Sequence, residues 1–161
     1  MALALFGHDQ LWPIVIIDSS PATDSGFLSY QFAFSNRPYY PIRMASVAVS
    51  AIDVRWLDGF GDEGGIKGMR FVNNYADVRV GPSDAVTLKL DNIFDYTAAR
   101  KLKPSSRILI SVKYQFPLHS TVKTDSALFE VARDSSGNEL WIKKPLTALG
   151  RYVDRSTIML S

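Results

Sequence analysis

Cysteine is absent from this chain of 161 residues. Its absence excludes a disulfide framework, a thiolate zinc site, an iron–sulfur cluster and a cysteine nucleophile. It does not indicate a compartment, because a chain without thiols suits reducing and oxidising surroundings alike. Histidine is scarce too: only His8 and His119 occur, and neither lies near a Gly-x-Ser-x-Gly nucleophile motif. The sequence therefore shows no nucleophile–base set, and we expect no cofactor.

Long hydrophobic runs are also missing. No apolar segment approaches the roughly 20 residues that a membrane-spanning helix needs. Residues 1–6 are apolar, but no cations precede them and Gly7, His8 and Asp9 follow at once, which is too short for the core of a signal peptide. This segment is either a first strand or the remainder of a removed anchor. We expect no transmembrane segment in this sequence, and it leaves the localisation open.

An excess of charge of one sign is likewise absent, because 18 Lys and Arg residues face 16 Asp and Glu residues. A nucleic-acid footprint needs cations concentrated on one face, so we expect no nucleic-acid partner. The densest basic run comprises Arg100, Lys101, Lys103 and Arg107. We interpret it as a solvated loop, with a phosphate-binding patch as the alternative.

What the sequence does contain is the alternation of apolar and polar side chains that is typical of half-buried β-strands. The pattern is sharpest over 107–116. Its apolar residues are Ile108, Ile110, Val112, Tyr114 and Phe116, and the polar residues between them are Ser111, Lys113 and Gln115. Further strands are predicted at 11–18, 27–36, 42–56, 69–72, 76–80, 86–90, 128–132 and 140–142. One face of each is expected to point into a core.

Three further signals complete the predicted fold. The parity of the apolar residues changes within 42–56, which predicts a bulge or a strand break near Ser50. The segment 134–138 carries the Gly and Asn residues of a hairpin turn, and 92–102 is the one predicted helix. We therefore expect an all-β fold, an antiparallel two-sheet β-sandwich of about eight or nine strands. It forms a single domain over 1–161, with flexible ends at 1–10 and 151–161.

Aromatic residues in three of the predicted strands form a recognisable pattern. Tyr114 and Phe116 lie near the end of one long strand, Trp56 lies in an earlier one, and Phe32 and Phe34 precede it. The arrangement resembles the pin of an immunoglobulin-like domain, with Phe in place of both cysteines. The resemblance implies that these aromatic residues meet across the core. It also implies a module that binds or spaces other molecules and has no catalytic residues.

The segment 59–64 matches the Gly-x-Gly-x-x-Gly pattern of dinucleotide-binding proteins. No helical pattern follows it, and Asp62 and Glu63 place negative charge where phosphates would sit, so we predict a flexible loop over 59–68. Asp58, Asp62 and Glu63 are weak candidates for binding a hard cation such as Ca²⁺. The alternative is an ordinary solvated turn, since the spacing does not match an EF-hand.

A proline-stiffened segment supplies the candidate binding residues. Arg37, Tyr39, Tyr40 and Arg43 combine side chains that binding hot spots favour with a backbone that has little entropy left to lose. Trp141 is a further candidate, because it has the parity opposite to its apolar neighbours. The alternative is that the tyrosines pack against the edge of the core and that Trp141 is half buried.

Function is less constrained than fold. The leading hypothesis is a non-catalytic binding or structural module with an unknown protein partner. A second hypothesis is a β-sandwich or barrel that binds a small ligand or hydrolyses it with loop carboxylates. A deep cleft lined by Asp58, Asp62, Glu63 or His119 would favour that alternative. A third is self-association through exposed strand edges.

Overall fold

The computed structural model describes residues 14–20, 31–37, 41–82, 84–89, 101–115 and 122–152. Within these residues the chain forms ten strands and one 3-10 helix. The strands are β1 (Ile14–Ser20), β2 (Gln31–Arg37), β3 (Ile42–Leu57), β4 (Glu63–Ile66), β5 (Met69–Val80), β6 (Ala85–Lys89), β7 (Lys101–Leu102), β8 (Arg107–Gln115), β9 (Val122–Arg133) and β10 (Glu139–Lys144). The 3-10 helix spans Leu146–Tyr152.

The strands form two antiparallel sheets. The small sheet has the order β1-β2-β6, and the large sheet has the order β10-β9-β8-β3 with β4, β5 and β7 also paired to β3. Both sheets contribute to one apolar core. The prediction of an all-β, antiparallel, sandwich-type fold is therefore confirmed.

The central strand β8 has the predicted alternation. Ile108, Ile110, Val112 and Tyr114 are at most 2% exposed and face the small sheet. Phe116 lies outside the described residues. The opposite face is less polar than expected, because Leu109 is also buried, together with Leu128 on the adjacent strand β9. The 3-10 helix lies against β9.

The long strand β3 organises the large sheet. Along its first part it pairs with β5 on one side and with β8 on the other, and along its last part it pairs with β4 and β7. Its register against β8 shifts between Met44 and Ser46 and again between Ala51 and Asp53. The second shift corresponds to the bulge predicted near Ser50. Such shifts let one strand keep its apolar residues inward while the sheet twists.

The hairpin from β3 into β4 replaces the flexible loop predicted at 59–68. Residues 63–66 are a strand, and β5 runs without a break where two strands were predicted. In the register, Trp56 lies opposite Gly64, and a Cβ atom added to Gly64 would collide with the indole ring. The ring therefore covers a site that only glycine can occupy, a cross-strand pairing that stabilises glycine within a sheet.

The aromatic centre of the core differs from the predicted one. Phe32 of the small sheet packs edge-on against Phe129, with ring centroids 4.9 Å apart, and against Trp141 at 6.5 Å. Trp56 is only partly buried at the margin of the core. The indole that meets Phe32 thus comes from β10, because the sheet order places β9 and β10 opposite β2, which strand spacing in the sequence does not reveal.

The remaining predictions concern the helix, the hairpin turn at 134–138 and the two ends of the chain. Most of the helix predicted at 92–102 lies outside them, but its last two residues are strand β7, paired with Trp56 and Leu57. The hairpin turn at 134–138 is confirmed, with the Asp134 carboxylate accepting hydrogen bonds from the backbone N–H groups of Ser136 and Asn138. Of the predicted flexible ends, 1–10 and 151–161, residues 1–10 and 153–161 lie outside the described part, and residues 151–152 end the 3-10 helix.

Candidate functional site

The predicted recognition segment is described only at its ends. Arg37 is the last residue of β2 in the small sheet, and Arg43 is an exposed residue near the start of β3 in the large sheet. Tyr39 and Tyr40 lie outside the described residues. The segment therefore connects the two sheets, and its role in binding stays a prediction.

Trp141 is a core residue. Its side chain is 5% exposed and packs against Phe32, and its indole N–H is buried without an acceptor in the described part of the chain. The opposite parity that marked it in the sequence reflects its position on the inner face of β10. Its indole ring is therefore inside the sandwich rather than on a contact surface, and this corrects the expectation that it contacts a partner.

Side chains bridge the neighbouring edges of β1 and β10. The Ser19 hydroxyl donates a hydrogen bond to the carbonyl of Trp141 at 2.9 Å, and Lys143 Nζ donates to the carbonyl of Ile17 at 2.9 Å. These bonds occupy two carbonyls that an added strand would need, which is one way in which sheet edges are protected. Self-association through an edge, as considered from the sequence, would have to use another edge.

Two of the three candidate carboxylates at the β3–β4 turn, those of Asp58 and Glu63, are engaged within the turn or beside it. Asp58 Oδ1 accepts hydrogen bonds from the backbone N–H groups of Phe60 (2.9 Å) and Asp62 (2.8 Å). Glu63 pairs with Lys103, and the ammonium group lowers the pKa of the Glu63 carboxyl. Within the described residues no three His, Asp or Glu side chains gather at distances suited to a metal ion. Asp58 thus acts as a turn-capping residue.

The same turn presents Phe60 to solvent. Phe60 is 96% exposed, the highest value among the large hydrophobic residues that the structure describes. Gly61, with a φ of 89°, allows the chain to reverse directly after it. The sequence signal for this exposed ring is Asp58-Gly-Phe-Gly-Asp62, a turn composition with an aromatic residue at its centre. The same glycines also match the nucleotide-binding pattern, which obscures that signal.

A second structural feature lies where β7 joins β8. Ser106 is 2% exposed, and its hydroxyl accepts a hydrogen bond from the Arg55 N–H at 3.0 Å and donates one to the Arg55 carbonyl at 3.1 Å. The same carbonyl also accepts a bond from the N–H of Lys103. The Ser106 hydroxyl thus makes the two hydrogen bonds to the Arg55 backbone that a neighbouring strand would otherwise make. This interaction holds the loop 103–106 against β3.

A cavity of about 230 Å³ opens between this loop and β3. It lies on the face of the large sheet that points away from the small sheet, since Asp53 and Arg107 are register partners on that face. Its charged and hydroxyl-bearing residues are Asp53, Arg55, Lys103, Ser105, Ser106 and Arg107. Lys103 and Arg107 belong to the basic run that the sequence showed; Asp53 and Arg55 join them only because β3 pairs with β8.

Ion pairs neutralise part of the charge around the cavity. Arg55 binds the Asp53 carboxylate through two hydrogen bonds of 3.0 and 3.1 Å, and this partner raises the pKa of the Arg55 guanidinium. Lys103 is held by Glu63, which lies beside the cavity. Arg107 differs, because its Nε–H is buried and meets no acceptor in the described part of the chain.

The groups that line the cavity are suited to hydrogen bonding with a ligand rather than to acid–base chemistry. The cavity contains guanidinium, ammonium and hydroxyl donors, and its one carboxylate is committed to Arg55. Polar side chains elsewhere in the large sheet pair with each other, as Tyr114 does with Asp125. Burial, together with this hydrogen bond, raises the pKa of the Tyr114 hydroxyl. No protein-family model, curated protein or solved structure matches this chain. A proposal about its function therefore has to be argued from the geometry of the chain itself.

Among the described residues, no helix is both long and apolar enough to span a membrane.

Proposed function

We propose that this chain is a non-catalytic, immunoglobulin-like binding module that contacts a protein partner through the tip of the β3–β4 hairpin. One observation carries the proposal: Phe60 is 96% exposed on a turn whose backbone is held by the Asp58 carboxylate. A backbone held in this way has little conformational entropy left to lose on binding. Aromatic residues are also enriched among the residues that dominate interface energies.

The charges around the ring indicate the chemistry of the partner. Asp62 and Glu63 come after Gly61 in the same hairpin and are exposed. A partner with an apolar pocket rimmed by Lys or Arg would bury the phenyl ring and match these carboxylates. An anionic membrane surface would be repelled by them, so a protein is the better match.

The non-catalytic part of the proposal is supported by how polar groups are used inside the protein. Ser106 bonds to the backbone of β3, Ser111 to Ser126 and Tyr114 to Asp125. Each of these interactions joins a strand to its neighbouring strand or, for Ser106, to the adjoining loop. Their role is therefore structural.

A photo-crosslinking experiment tests the contact. We would place p-benzoylphenylalanine at position 60 and, as a matched control, at Leu146, which is 46% exposed at the start of the 3-10 helix. Irradiation in cells that produce the chain should give one dominant adduct from position 60. Excess wild-type protein should suppress that adduct, and an excess of the Phe60→Ser variant should not.

Two outcomes would contradict the proposal. Identical adducts from positions 60 and 146 would show non-specific contact, and persistence of the adduct in excess wild-type protein would show that the binding is not saturable. A double variant, Tyr39→Ala with Tyr40→Ala, examines the other predicted recognition segment in the same assay. Loss of the position-60 adduct in that variant would place both segments in one interface.

A further inference from the structure

The cavity beside Ser106 carries an excess of positive charge. Three cationic side chains, Arg55, Lys103 and Arg107, line it together with one carboxylate, that of Asp53. The carboxylate is already bound by two donors of Arg55. The lining therefore has a surplus of two positive charges, reduced to one by Glu63 where that residue pairs with Lys103.

Among the residues that the structure describes, Arg107 forms no ion pair although carboxylates flank it. In the sheet register it lies between Asp53 on β3 and Glu130 on β9. Asp53 is held by Arg55, and Glu130 lies 3.6 Å from the ammonium group of Lys144. The Arg107 Nε–H is buried and has no acceptor within the described residues. A buried donor of a charged group is costly unless an acceptor satisfies it, and the Arg107 guanidinium therefore favours an acceptor brought by a ligand.

The loop that forms the other wall of the cavity is held in place. Ser105 N–H donates to the carbonyl of Val131, the N–H of Val131 donates to the carbonyl of Ser106, and the Ser106 hydroxyl bonds to Arg55. Ser105 itself has a φ of 73°, a left-handed conformation that is uncommon outside glycine. The backbone of this wall is thus fixed before any ligand arrives, which lowers the entropic cost of binding.

We propose that this cavity binds a phosphate-class oxyanion, with Arg107 as the principal contact and Lys103 as the second. A guanidinium group matches oxyanion geometry, and donors from two strands and a loop surround the space. A tetrahedral oxyanion fits such a surround better than a planar carboxylate, because it accepts hydrogen bonds in more directions. The inference goes beyond the proposed partner contact and does not depend on it.

Titration with inorganic phosphate tests the site on the purified chain. Isothermal titration calorimetry would be performed with total ionic strength held constant by NaCl, so that general screening does not change. Saturable binding is expected. Arg107→Gln should weaken it at least tenfold, whereas Arg79→Gln should change it less than twofold. Arg79 is an exposed cation beside Arg43, ten residues along β3 from the cavity.

Further arms define the ligand and guard against misfolding. Sulfate should compete with phosphate, whereas acetate at the same concentration should not; equal competition by acetate would overturn the phosphate-class assignment. If Arg107→Gln fails to fold, Lys103→Gln should still weaken binding severalfold. Absence of saturable phosphate binding, or unchanged binding in both variants, would overturn the proposal. Phe60→Ser should leave phosphate binding intact, so the two proposals can fail separately.

Discussion

Replacing Ser106 by Ala tests how β3 is held to the strand-joining loop. The substitution removes one oxygen atom from a side chain that is 2% exposed and leaves almost no space to be refilled. The hydroxyl both accepts from the N–H of Arg55 and donates to its carbonyl. The carbonyl keeps the 2.8 Å bond from Lys103 N–H, so the Arg55 N–H is the group that loses its partner.

The expected cost follows from that difference. An unsatisfied buried donor costs about 1–3 kcal/mol, whereas a carbonyl that retains one bond costs much less. We therefore expect Ser106→Ala to lower the free energy of unfolding by about 2 kcal/mol. For a domain of this size, that corresponds to a fall in Tm of roughly 4–8 °C.

Urea denaturation followed by tryptophan fluorescence would measure the loss. The matched control is Ser105→Ala at the neighbouring position, which is exposed. The control should change the free energy of unfolding by less than about 0.5 kcal/mol, the usual range for surface substitutions. Amide hydrogen exchange should also become faster at Arg55 in the Ser106 variant.

A destabilisation equal to that of the Ser105 control would refute the reasoning. It would mean that the Arg55 N–H finds water or another acceptor as easily as it finds the serine. A changed urea m-value would mean that the variant alters the extent of unfolding, and the comparison would then rest on hydrogen exchange at Arg55 alone.

Two further predictions concern the core and the pH dependence. Phe129→Ala removes a ring that is 0% exposed and packs on Phe32, so it should lower the free energy of unfolding in urea by about 3–5 kcal/mol. The exposed control Phe60→Ala should lower it by less than about 0.5 kcal/mol. Equal losses would contradict the assigned core. Burial raises the pKa of Glu139 above its ordinary value of 4.5, although hydrogen bonding by the N–H of Leu102 opposes the shift. The folded state then holds the proton more tightly than the unfolded state. The free energy of unfolding of the wild type, relative to that of Glu139→Gln, should therefore fall as pH rises from about 4.5 through the raised pKa. An advantage of the wild type that grows with pH would contradict this.

Local pattern was sufficient for most of the strands. The burial of Ile108, Ile110 and Val112 could be predicted because successive side chains of a strand point to opposite faces. The turn at 134–138 could be predicted because Gly137 adopts the positive φ that hairpin turns demand. These features depend on neighbours in the chain.

Features that depend on pairing partners were beyond the sequence. Leu102 was expected to end a helix, but pairing with Trp56 makes it a strand residue. Leu109 shares a strand face with Ser111 and Lys113, which were expected to be polar and solvent-facing, but Leu109 is buried on the outer face of the large sheet. In both cases a tertiary contact overrides the local preference, as is common for short elements.

The sequence by itself determined the class of this protein: cysteine-free, antiparallel and all-β, with the inner faces of its main strands set by period two. Tertiary structure decided where function can lie. It placed Phe60 at the exposed tip of a rigid turn, placed Trp141 in the core, and brought Asp53 and Arg55 beside Arg107 across fifty residues of chain. The physical reason is that alternation specifies which face a side chain occupies, whereas the pairing of distant strands specifies its neighbours.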